Sequence, residues 1–212
     1  MHRKIAVIDE TLTLVGTANF TPPSLKMHSN LFLGIWDPSL AKFLSHSIEE
    51  EGIFQIGEGE ISSFLLPEGG KRALEAIAEE IDRAQERIDL AIFTLTHPLL
   101  IEKLIEANDR GVEITVAIDR YTSRGASRKG VEMLEEHGMP VRIHTGGGLL
   151  HHKWALIDGK TLIIGSANWT RSAFAKNQDC LLICKDFQDQ AKIYKKIWNL
   201  VLKNSQINSP KL

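Results

Sequence analysis

Residues 151–170 read HHKWALIDGKTLIIGSANWT, and residues 2–21 read HRKIAVIDETLTLVGTANFT. The two stretches agree at identical spacing in His, Lys, Asp, Gly, Ala, Asn and Thr, and they exchange Ser for Thr and Trp for Phe. Self-similarity at fixed spacing is the signature of a repeated structural unit. The chain therefore predicts two copies of one motif, and working outward from them organises the remaining sequence.

Length and composition indicate an ordinary globular protein. The chain has 212 residues, of which 43% are hydrophobic and 25% are charged, and these values exclude disordered, collagen-like and coiled-coil classes. A net charge of −2 does not mark the whole chain as a binder of nucleic acid or membrane, although a basic cleft is compatible with it. No apolar stretch reaches the roughly 18 residues that cross a bilayer. We expect a soluble protein of the cytoplasm or of a membrane surface.

The two cysteines, Cys180 and Cys184, lie in one short apolar run. Their spacing matches neither a disulfide framework nor a zinc pattern. We interpret both as strand residues of a protein from a reducing or neutral compartment.

The segment between the two motifs alternates strands with helices. Strands are predicted over 62–66, 87–93, 113–118 and 141–143, and helices over 71–86, 98–110 and 126–137. Such alternation is typical of a three-layer α/β domain. Each motif is then followed by a further strand, an Asp that can cap a helix, and that helix: 31–36, Asp37 and 38–51 after the first, 180–184, Asp186 and 187–202 after the second.

The two copies differ in what precedes them. The second follows a scaffold that runs from Ile61 to Leu150, whereas the first follows Met1 alone. We expect residues 1–52 to be the C-terminal part of a first repeat, 53–60 to be a Gly- and Glu-rich linker, and 61–212 to be a complete second repeat. An N-terminal part of the same protein, with any targeting segment, would then precede residue 1.

The motif places a histidine and a lysine on one face. Residues two apart in a strand point the same way, so His151 projects with Lys153, and His2 projects with Lys4. A histidine that attacks or shuttles protons, a lysine charge and an asparagine donor suit a phosphate anion. With two sets, one imidazole can attack phosphorus while the other protonates the leaving oxygen, and the second can afterwards activate water.

The motif aspartates look structural. Asp158 lies at an odd offset from the histidine and precedes a glycine, which is a hairpin signal. The matching Asp9 lacks that glycine. We therefore assign both aspartates to turns rather than to the chemistry.

The doubled pattern His-x-Lys-x4-Asp-x6-Gly-[Ser/Thr]-x-Asn resembles the phospholipase D superfamily over nearly the whole chain. The resemblance implies a phospholipase D-like three-layer α/β/α repeat, here preceded by the back half of a truncated one. It implies that both motifs meet at one site, that the intermediate is a phosphohistidine, and that no metal or cofactor is required. It makes His2 and His151 the nucleophile and the general acid/base, with the N-terminal histidine commonly the nucleophile. The phosphate ligands it implies, with two supporting hydroxyls, are Lys4, Lys153, Asn19 and Asn168, with Thr17 and Ser166.

One position departs from the family pattern. Members often carry a Glu eleven residues after the motif Asn, where it orients the motif histidine. This chain has Asp179 there in the second copy and Asn30 in the first. We expect Asp179 to orient His151, and Asn30 to leave His2 less basic.

Two features near the motifs are best explained without a functional role. His144, His151 and His152 do not complete a metal ligand set, because adjacent strand residues point apart and no suitable acid or thiol lies near. The loop 121–130 is best explained as a solvated surface. If it is functional, Arg124 and Arg128 would hold a second phosphate of a lipid headgroup or nucleic acid.

Three functions remain open on the sequence. The first is a metal-independent phosphodiesterase or phosphatidyl transferase acting on phospholipids, with contact to a membrane surface. The second is a single-stranded nucleic-acid endonuclease that pairs two copies of His151, Lys153 and Asn168 in a homodimer. The third is a crippled fragment that still binds phosphate. A dimer would also cover strands left unpaired by the absent half-repeat.

Overall fold

The computed structural model describes residues 1–187 and 190–208. Its strands are β1 (Ile5–Ile8), β2 (Leu12–Gly16), β3 (Phe32–Trp36), β4 (Glu51–Ile56), β5 (Gly59–Leu65), β6 (Arg87–Ile92), β7 (Glu113–Ile118), β8 (Val141–His144), β9 (Lys153–Ile157), β10 (Thr161–Gly165), β11 (Cys180–Lys185) and β12 (Ser205–Ile207). Its helices are α1 (Pro22–Met27), α2 (Pro38–His46), α3 (Gly70–Arg83), α4 (Pro98–Asp109), α5 (Arg120–Arg124), α6 (Arg128–Glu136), α7 (Arg171–Ala175) and α8 (Gln190–Lys203).

A nine-stranded mixed sheet forms the middle layer. Its strand order is β12-β8-β7-β6-β9-β10-β11-β5-β4, with β6, β7 and β8 parallel and the other pairs antiparallel. Strands β6 and β7 end in the apolar runs 90–92 and 116–118, where both faces of the sheet are buried. Helices α3, α4, α6 and α7 pack on one face of this sheet. The layers confirm the predicted α/β class.

The opposite face carries the first motif. There the small sheet β1-β2-β3 and helices α2 and α8 share one core with the large sheet, in which Val15 and Leu40 of the first copy join Trp154 and Trp198 of the second. The packing of the two motifs is thus stabilised by burial of apolar side chains, which is the dominant favourable term in such packing.

The hairpins of the two copies are built alike. Ile5 pairs with Val15 in the first copy, as Trp154 pairs with Ile164 in the second. Each hairpin turns through two residues with positive φ, at 49° and 53° in the first turn and at 51° and 68° in the second. The second turn has a glycine where the first has Glu10, so the first bears more backbone strain.

Several boundaries differ from the sequence expectations. The predicted linker 53–60 lies in a β-hairpin, in which β4 pairs with β5 and forms an edge of the large sheet. Its side chains alternate between exposed and half-buried, as edge strands do, and its glycines and glutamates had suggested a linker. Helix α2 ends at His46 rather than at 51, because Ser47 is already extended. The expected helix 126–137 begins at Arg128, after a separate short helix α5.

The capping predictions fare differently. Asp37 caps α2 through a 2.7 Å hydrogen bond from the Leu40 amide, as predicted. Asp186 lies instead in a turn with a φ of 57°. The predicted start of the last helix falls beside residues 188–189, outside the described residues. Among the helices that the structure describes, none is long and apolar enough to cross a membrane.

Candidate active site

His2 is held by an acid from the other copy of the motif. It lies just before β1, and its Nδ1–H donates to Oδ1 of Asp179 at 2.6 Å. Its backbone amide donates to the carbonyl of Gln178 at 2.8 Å. Ser166 donates to the same carboxylate oxygen at 2.5 Å and accepts from the Cys180 amide at 3.0 Å. Burial raises the pKa of Asp179, but the hydrogen bonds from His2 and Ser166 outweigh it, so that the pKa is lowered overall.

His151 has the mirror-image arrangement with an amide in place of the acid. Its Nδ1 lies 3.1 Å from Oδ1 of Asn30. The Asn30 amide nitrogen donates to the Ser24 carbonyl at 2.9 Å, and Oδ1 accepts from the Thr17 hydroxyl at 3.0 Å. These contacts fix which end of the amide faces the imidazole. Nδ1 of His151 therefore carries the proton, and its Nε2 presents a lone pair.

The expected pairing of these groups was wrong. Asp179 orients His2 and not His151, and Asn30 orients His151 and not His2. The reason is tertiary. The two copies pack against each other through a shared core. Asn30, which precedes β3, thereby contacts His151, and Asp179, which precedes β11, contacts His2.

The motif lysines are buried beside the histidines. Nζ of Lys4 donates to the His2 carbonyl at 2.7 Å, and Nζ of Lys153 donates to the His151 carbonyl at 2.8 Å. Burial lowers the pKa of Lys4 to about 8 against the opposing effect of Asp179. Burial, and then the charge of Lys4, hold the pKa of Lys153 well below its usual range. Both ammonium groups are therefore poorly solvated and favour an anion.

The same environment keeps His151 neutral. Burial, followed by the charges of Lys153 and Lys4, lowers the pKa of His151 to about 3. His28 and His2 add smaller effects in the same direction. A phosphodiester anion in the cleft would offset the two lysine charges and make protonation of His151 easier.

The motif asparagines and hydroxyls are placed differently from one another. Asn19 is exposed, whereas Asn168 is half-buried and its Oδ1 has no hydrogen-bond partner within 1–187 and 190–208. Thr17 and Ser166 are buried, and each both accepts a backbone N–H and donates to Asn30 or Asp179. The two hydroxyls thus position the groups that orient the histidines and are closed to solvent, and their part in binding a phosphate stays a prediction.

The motif aspartates lie in the turns. Asp158 accepts hydrogen bonds from three successive backbone amides at 2.8–2.9 Å, those of Gln85, Glu86 and Arg87. Burial raises the pKa of Asp158, but these three hydrogen bonds together outweigh it, so that the pKa is lowered overall. Asp9 is exposed in the matching turn. Both placements agree with the structural role assigned from the sequence.

The basic loop is set apart from the motifs. Arg128 is exposed and pairs with Glu132 at 3.1 Å. Arg124 is exposed and lines a surface pocket with Thr145 and Gln206. Within the described chain, no contact joins either arginine to a motif residue, so their role in holding a second phosphate stays a prediction.

Sequence reasoning missed a third histidine at the cleft. Nδ1 of His28 accepts from the Leu149 amide at 3.1 Å, so its proton sits on Nε2. The His28 and His151 rings lie 6.3 Å apart. His28 falls outside the motif, and Asn177 occupies the matching position of the second copy. Its only signal was a histidine two residues before Asn30.

A short pairing of chain segments brings His28 and Asn30 to the second motif. Ser29 forms a parallel bridge with Leu150, and its hydroxyl lies 2.9 Å from Nε2 of the buried His152. A Cβ at Gly148 would lie 1.7 Å from the carbonyl oxygen of Met27. Glycine at 148 is therefore required for this approach.

Comparison with known proteins assigns the family. Residues 77–201, more than half of the chain, match the family described as "Cardiolipin synthase, PLD-like domain". The chain belongs to this family. The matched region contains the second motif in full, and the resemblance stated from the sequence is confirmed.

Named relatives of this PLD-like chain include lipid-directed enzymes. Human mitochondrial cardiolipin hydrolase is 33% identical over 129 residues, which cover 57% of this chain and 50% of the relative. Phospholipase D of Rickettsia conorii is 29% identical over 151 residues, covering 71% and 74% of the two chains. The chain spans about half the length of the cardiolipin hydrolases that it matches.

Solved structures confirm the PLD fold. Nuc from Salmonella typhimurium, a phospholipase D family member, superposes with a TM-score of 0.66 at 24% identity, covering 71% of this chain and 99% of Nuc. Phosphatidylserine synthase of Haemophilus influenzae gives a TM-score of 0.78 at 13% identity, covering 98% of this chain and 63% of the synthase. At these identities the likeness establishes fold alone.

Proposed function

We propose that this chain is a metal-independent phosphodiesterase or phosphatidyl transferase that acts on phospholipids through a phosphohistidine intermediate. The observation that carries the proposal is the crossed pairing of His2 with Asp179 and of His151 with Asn30. It brings together two imidazoles of one chain, each beside a buried lysine, so that the charges of Lys4 and His2 contribute to lowering the pKa of His151. The division into a partial repeat 1–52 and a complete repeat 61–212 belongs to the same proposal.

The cleft supplies what a phosphodiester requires. Lys4 and Lys153 provide positive charge in a poorly solvated place, where electrostatic stabilisation of a transition state is strongest. Both imidazoles donate Nδ1–H to an oxygen acceptor, so that Nε2 of each is the reactive nitrogen. The two acceptors differ in charge, and this difference gives the two histidines different roles.

In the first step, Nε2 of His2 attacks phosphorus and the bond to the leaving oxygen breaks. The phosphorylated ring gains positive charge, which the Asp179 carboxylate stabilises. His151, protonated once the bound anion offsets the lysine charges, gives its Nε2 proton to the leaving oxygen. In the second step, neutral His151 takes a proton from water or an alcohol, whose oxygen attacks phosphorus as the bond to His2 breaks.

The names of the relatives support the phospholipid class. They include phospholipase D and cardiolipin hydrolase, and both names denote enzymes acting on phospholipids. The intramolecular pairing of His2 with the second copy also favours a site completed within one chain over one that needs two copies of His151. We therefore place single-stranded nucleic acid second.

The test uses an aryl diester, bis(p-nitrophenyl) phosphate, in EDTA. Its leaving group needs little protonation, so His151→Ala should release about one equivalent of nitrophenol and then stall, with the p-nitrophenylphosphoryl group trapped on Nε2 of His2 and detectable by peptide mass spectrometry. His2→Ala should show no burst. A burst in His2→Ala with the p-nitrophenylphosphoryl group on His151 would reverse the roles, and loss of wild-type turnover in EDTA would refute metal independence.

The substrate class is tested in competition. Phospholipid vesicles and labelled single-stranded DNA are offered together to the wild type and to His151→Ala in EDTA. We expect cleavage of lipid alone and none by the variant. Cleavage of DNA alone would establish the nuclease alternative, whereas binding of phosphate without turnover of either would indicate the crippled fragment.

A further inference from the structure

Two short helices lie in the segments that contact the motif histidines. Helix α1 follows Asn19 and leads directly into His28, whose ring lies beside His151. Helix α7 follows Asn168 and leads into Gln178, whose carbonyl accepts the His2 amide. The segment that follows each helix therefore meets the histidine of the other copy, and we name the exposed side chains around each helix a rim of the site.

The α1 rim, defined as Phe20, Leu25, Lys26 and Met27, is apolar toward solvent. Phe20, Leu25 and Met27 are 53%, 54% and 66% exposed, while the helix buries Ser24. A helix that packs normally on a protein core does the reverse. Exposed apolar side chains grouped at the mouth of a cleft are typical of an interaction surface.

The α7 rim, defined as Arg171 and Lys176, is basic and exposed. Residues 166–178 contain no acid, and neither do residues 11–36 around α1, where Lys26 lies between the two exposed aliphatic side chains. This contrasts with a chain whose net charge is −2. The cleft is therefore edged by apolar groups and cations, and the acidic residues are distributed elsewhere.

We propose that the α1 and α7 rims together form an interfacial surface for a bilayer containing anionic phospholipid. Phe20, Leu25 and Met27 would enter the boundary between headgroups and acyl chains, while Lys26, Arg171 and Lys176 would meet the phosphates. A bilayer presents apolar and anionic groups side by side, and this combination matches the rim. The inference rests on the proposed phospholipid substrate and adds where the enzyme meets it.

The chemistry of the two rims fits a bilayer better than it fits a nucleic acid or a second copy of the chain. A nucleic acid would satisfy the cations, and a base could stack on Phe20, but the aliphatic side chains of Leu25 and Met27 would gain little. A second copy would cover the apolar groups but would need acids to face the three cations. Both rims lie in segments that contact the motif histidines, through Asn30 and Gln178, so a lipid held there is presented to the proposed site.

The experiment compares two triple variants in vesicle flotation. The rim variant is Phe20→Ser with Leu25→Ser and Met27→Ser. The matched control is Ile53→Ser with Leu200→Ser and Ile207→Ser, at positions that are 69%, 61% and 59% exposed and lie on β4, α8 and β12. Vesicles are made of phosphatidylcholine alone or of phosphatidylcholine with phosphatidylglycerol, and circular dichroism verifies that both variants fold.

We expect the wild type to float with the anionic vesicles and the rim variant to lose at least about 10-fold in partitioning, with the control unchanged. The ratio of its rate on vesicles to its rate on bis(p-nitrophenyl) phosphate should fall by a similar factor. Replacing Arg171 and Lys176 by Gln should lower partitioning and weaken its dependence on salt.

Several results would overturn the proposal. Equal partitioning of the rim variant and the wild type would do so, as would failure of the wild type to bind either vesicle while it turns over the soluble diester. A rim variant that loses single-stranded DNA binding instead, or whose mass by light scattering falls from dimer to monomer, would assign the surface to nucleic acid or to a second copy. Because flotation needs no turnover, failure of the phosphodiesterase proposal would be seen separately as an inactive wild type on the soluble diester.

Discussion

Asp179 of the second motif orients His2 of the first through a 2.6 Å hydrogen bond, although 177 residues of sequence separate the two. The reciprocal contact joins His151 to Asn30. One contact thus has a carboxylate and the other a neutral amide. The pseudo-symmetric cleft is therefore electrostatically asymmetric, and the asymmetry leads to distinct predictions for its two halves.

Removing the acid should damage catalysis more than stability. Asp179→Asn keeps an oxygen acceptor for His2 but removes the charge that stabilises the phosphorylated ring, so kcat/KM should fall by roughly 10²- to 10⁴-fold. The matched control is Asp158→Asn in the turn, where the fold should lose about 1–3 kcal/mol and kcat/KM should stay within about 3-fold. Steady-state kinetics and urea unfolding measure both. An active Asp179→Asn enzyme would contradict the assignment.

Adding an acid should change the selectivity for leaving groups. Asn30→Asp puts a carboxylate beside His151 and raises its pKa above the present value of about 3. More protonated His151 should speed cleavage of alkyl diesters relative to aryl diesters, because alkoxides need the proton more. Asn30→Asp loses the hydrogen bond that the Asn30 amide nitrogen donates to the Ser24 carbonyl, so the folding of the variant is verified before it is assayed. An unchanged ratio of alkyl to aryl rates would argue against His151 as the acid.

Replacing the buried Lys153 by an apolar residue should stabilise the fold. Because burial depresses the pKa of Lys153, the folded protein is penalised for its charge. Lys153→Met should therefore raise the free energy of unfolding by about 1–2 kcal/mol at pH 7 while abolishing turnover. Lys129→Met at an exposed position should change stability by less than about 0.5 kcal/mol. Thermal and urea unfolding provide the measurement, and a destabilised Lys153→Met would disprove the penalty.

Acid should destabilise the protein through His152. Burial, followed by Lys153 and His144, lowers the pKa of His152 from 6.5 to about 3. Between these pH values the unfolded chain binds more protons than the folded chain. The contribution of neutral His152 to the free energy of unfolding is therefore fully present above pH 6.5 and is lost as the pH falls toward 3. His152→Gln should flatten this slope by up to about 1.4 kcal/mol per pH unit. Urea unfolding at several pH values would reveal an unchanged slope if the argument is wrong.

Substitution by alanine should be damaging at one of two neighbouring glycines and nearly neutral at the other. In Gly148→Ala the new methyl would meet the Met27 carbonyl and push the segment bearing His28 and Asn30 from His151. We expect a loss of about 1–3 kcal/mol and a fall in activity of at least about 10-fold. Gly147→Ala meets nothing within 4 Å and should be nearly neutral. Equal effects of the two substitutions would show that the close approach at 148 is not what matters.

The sequence by itself determined the doubled motif, the alternation of strands and helices between its copies, and the family. These features depend on local chemistry, because residue spacing along a strand decides which side chains share a face. The pairing of His151 with Lys153 on one face and the turn role of Asp158 were therefore predictable. The edge strand β4 was missed because its glycines and glutamates resemble a linker, and an edge strand buries too little to leave a strong apolar pattern.

Only the tertiary structure decided the partners of the histidines. Which acceptor reaches which imidazole depends on how two sheets pack, and that packing is set by apolar contacts among Val15, Leu40 and Trp154, which come from both copies of the motif. The same packing buried Lys4 and Lys153 and brought His28 to the cleft, and sequence spacing encodes neither effect. The motif specifies which groups are present, and the burial of its surroundings specifies their partners and charge states.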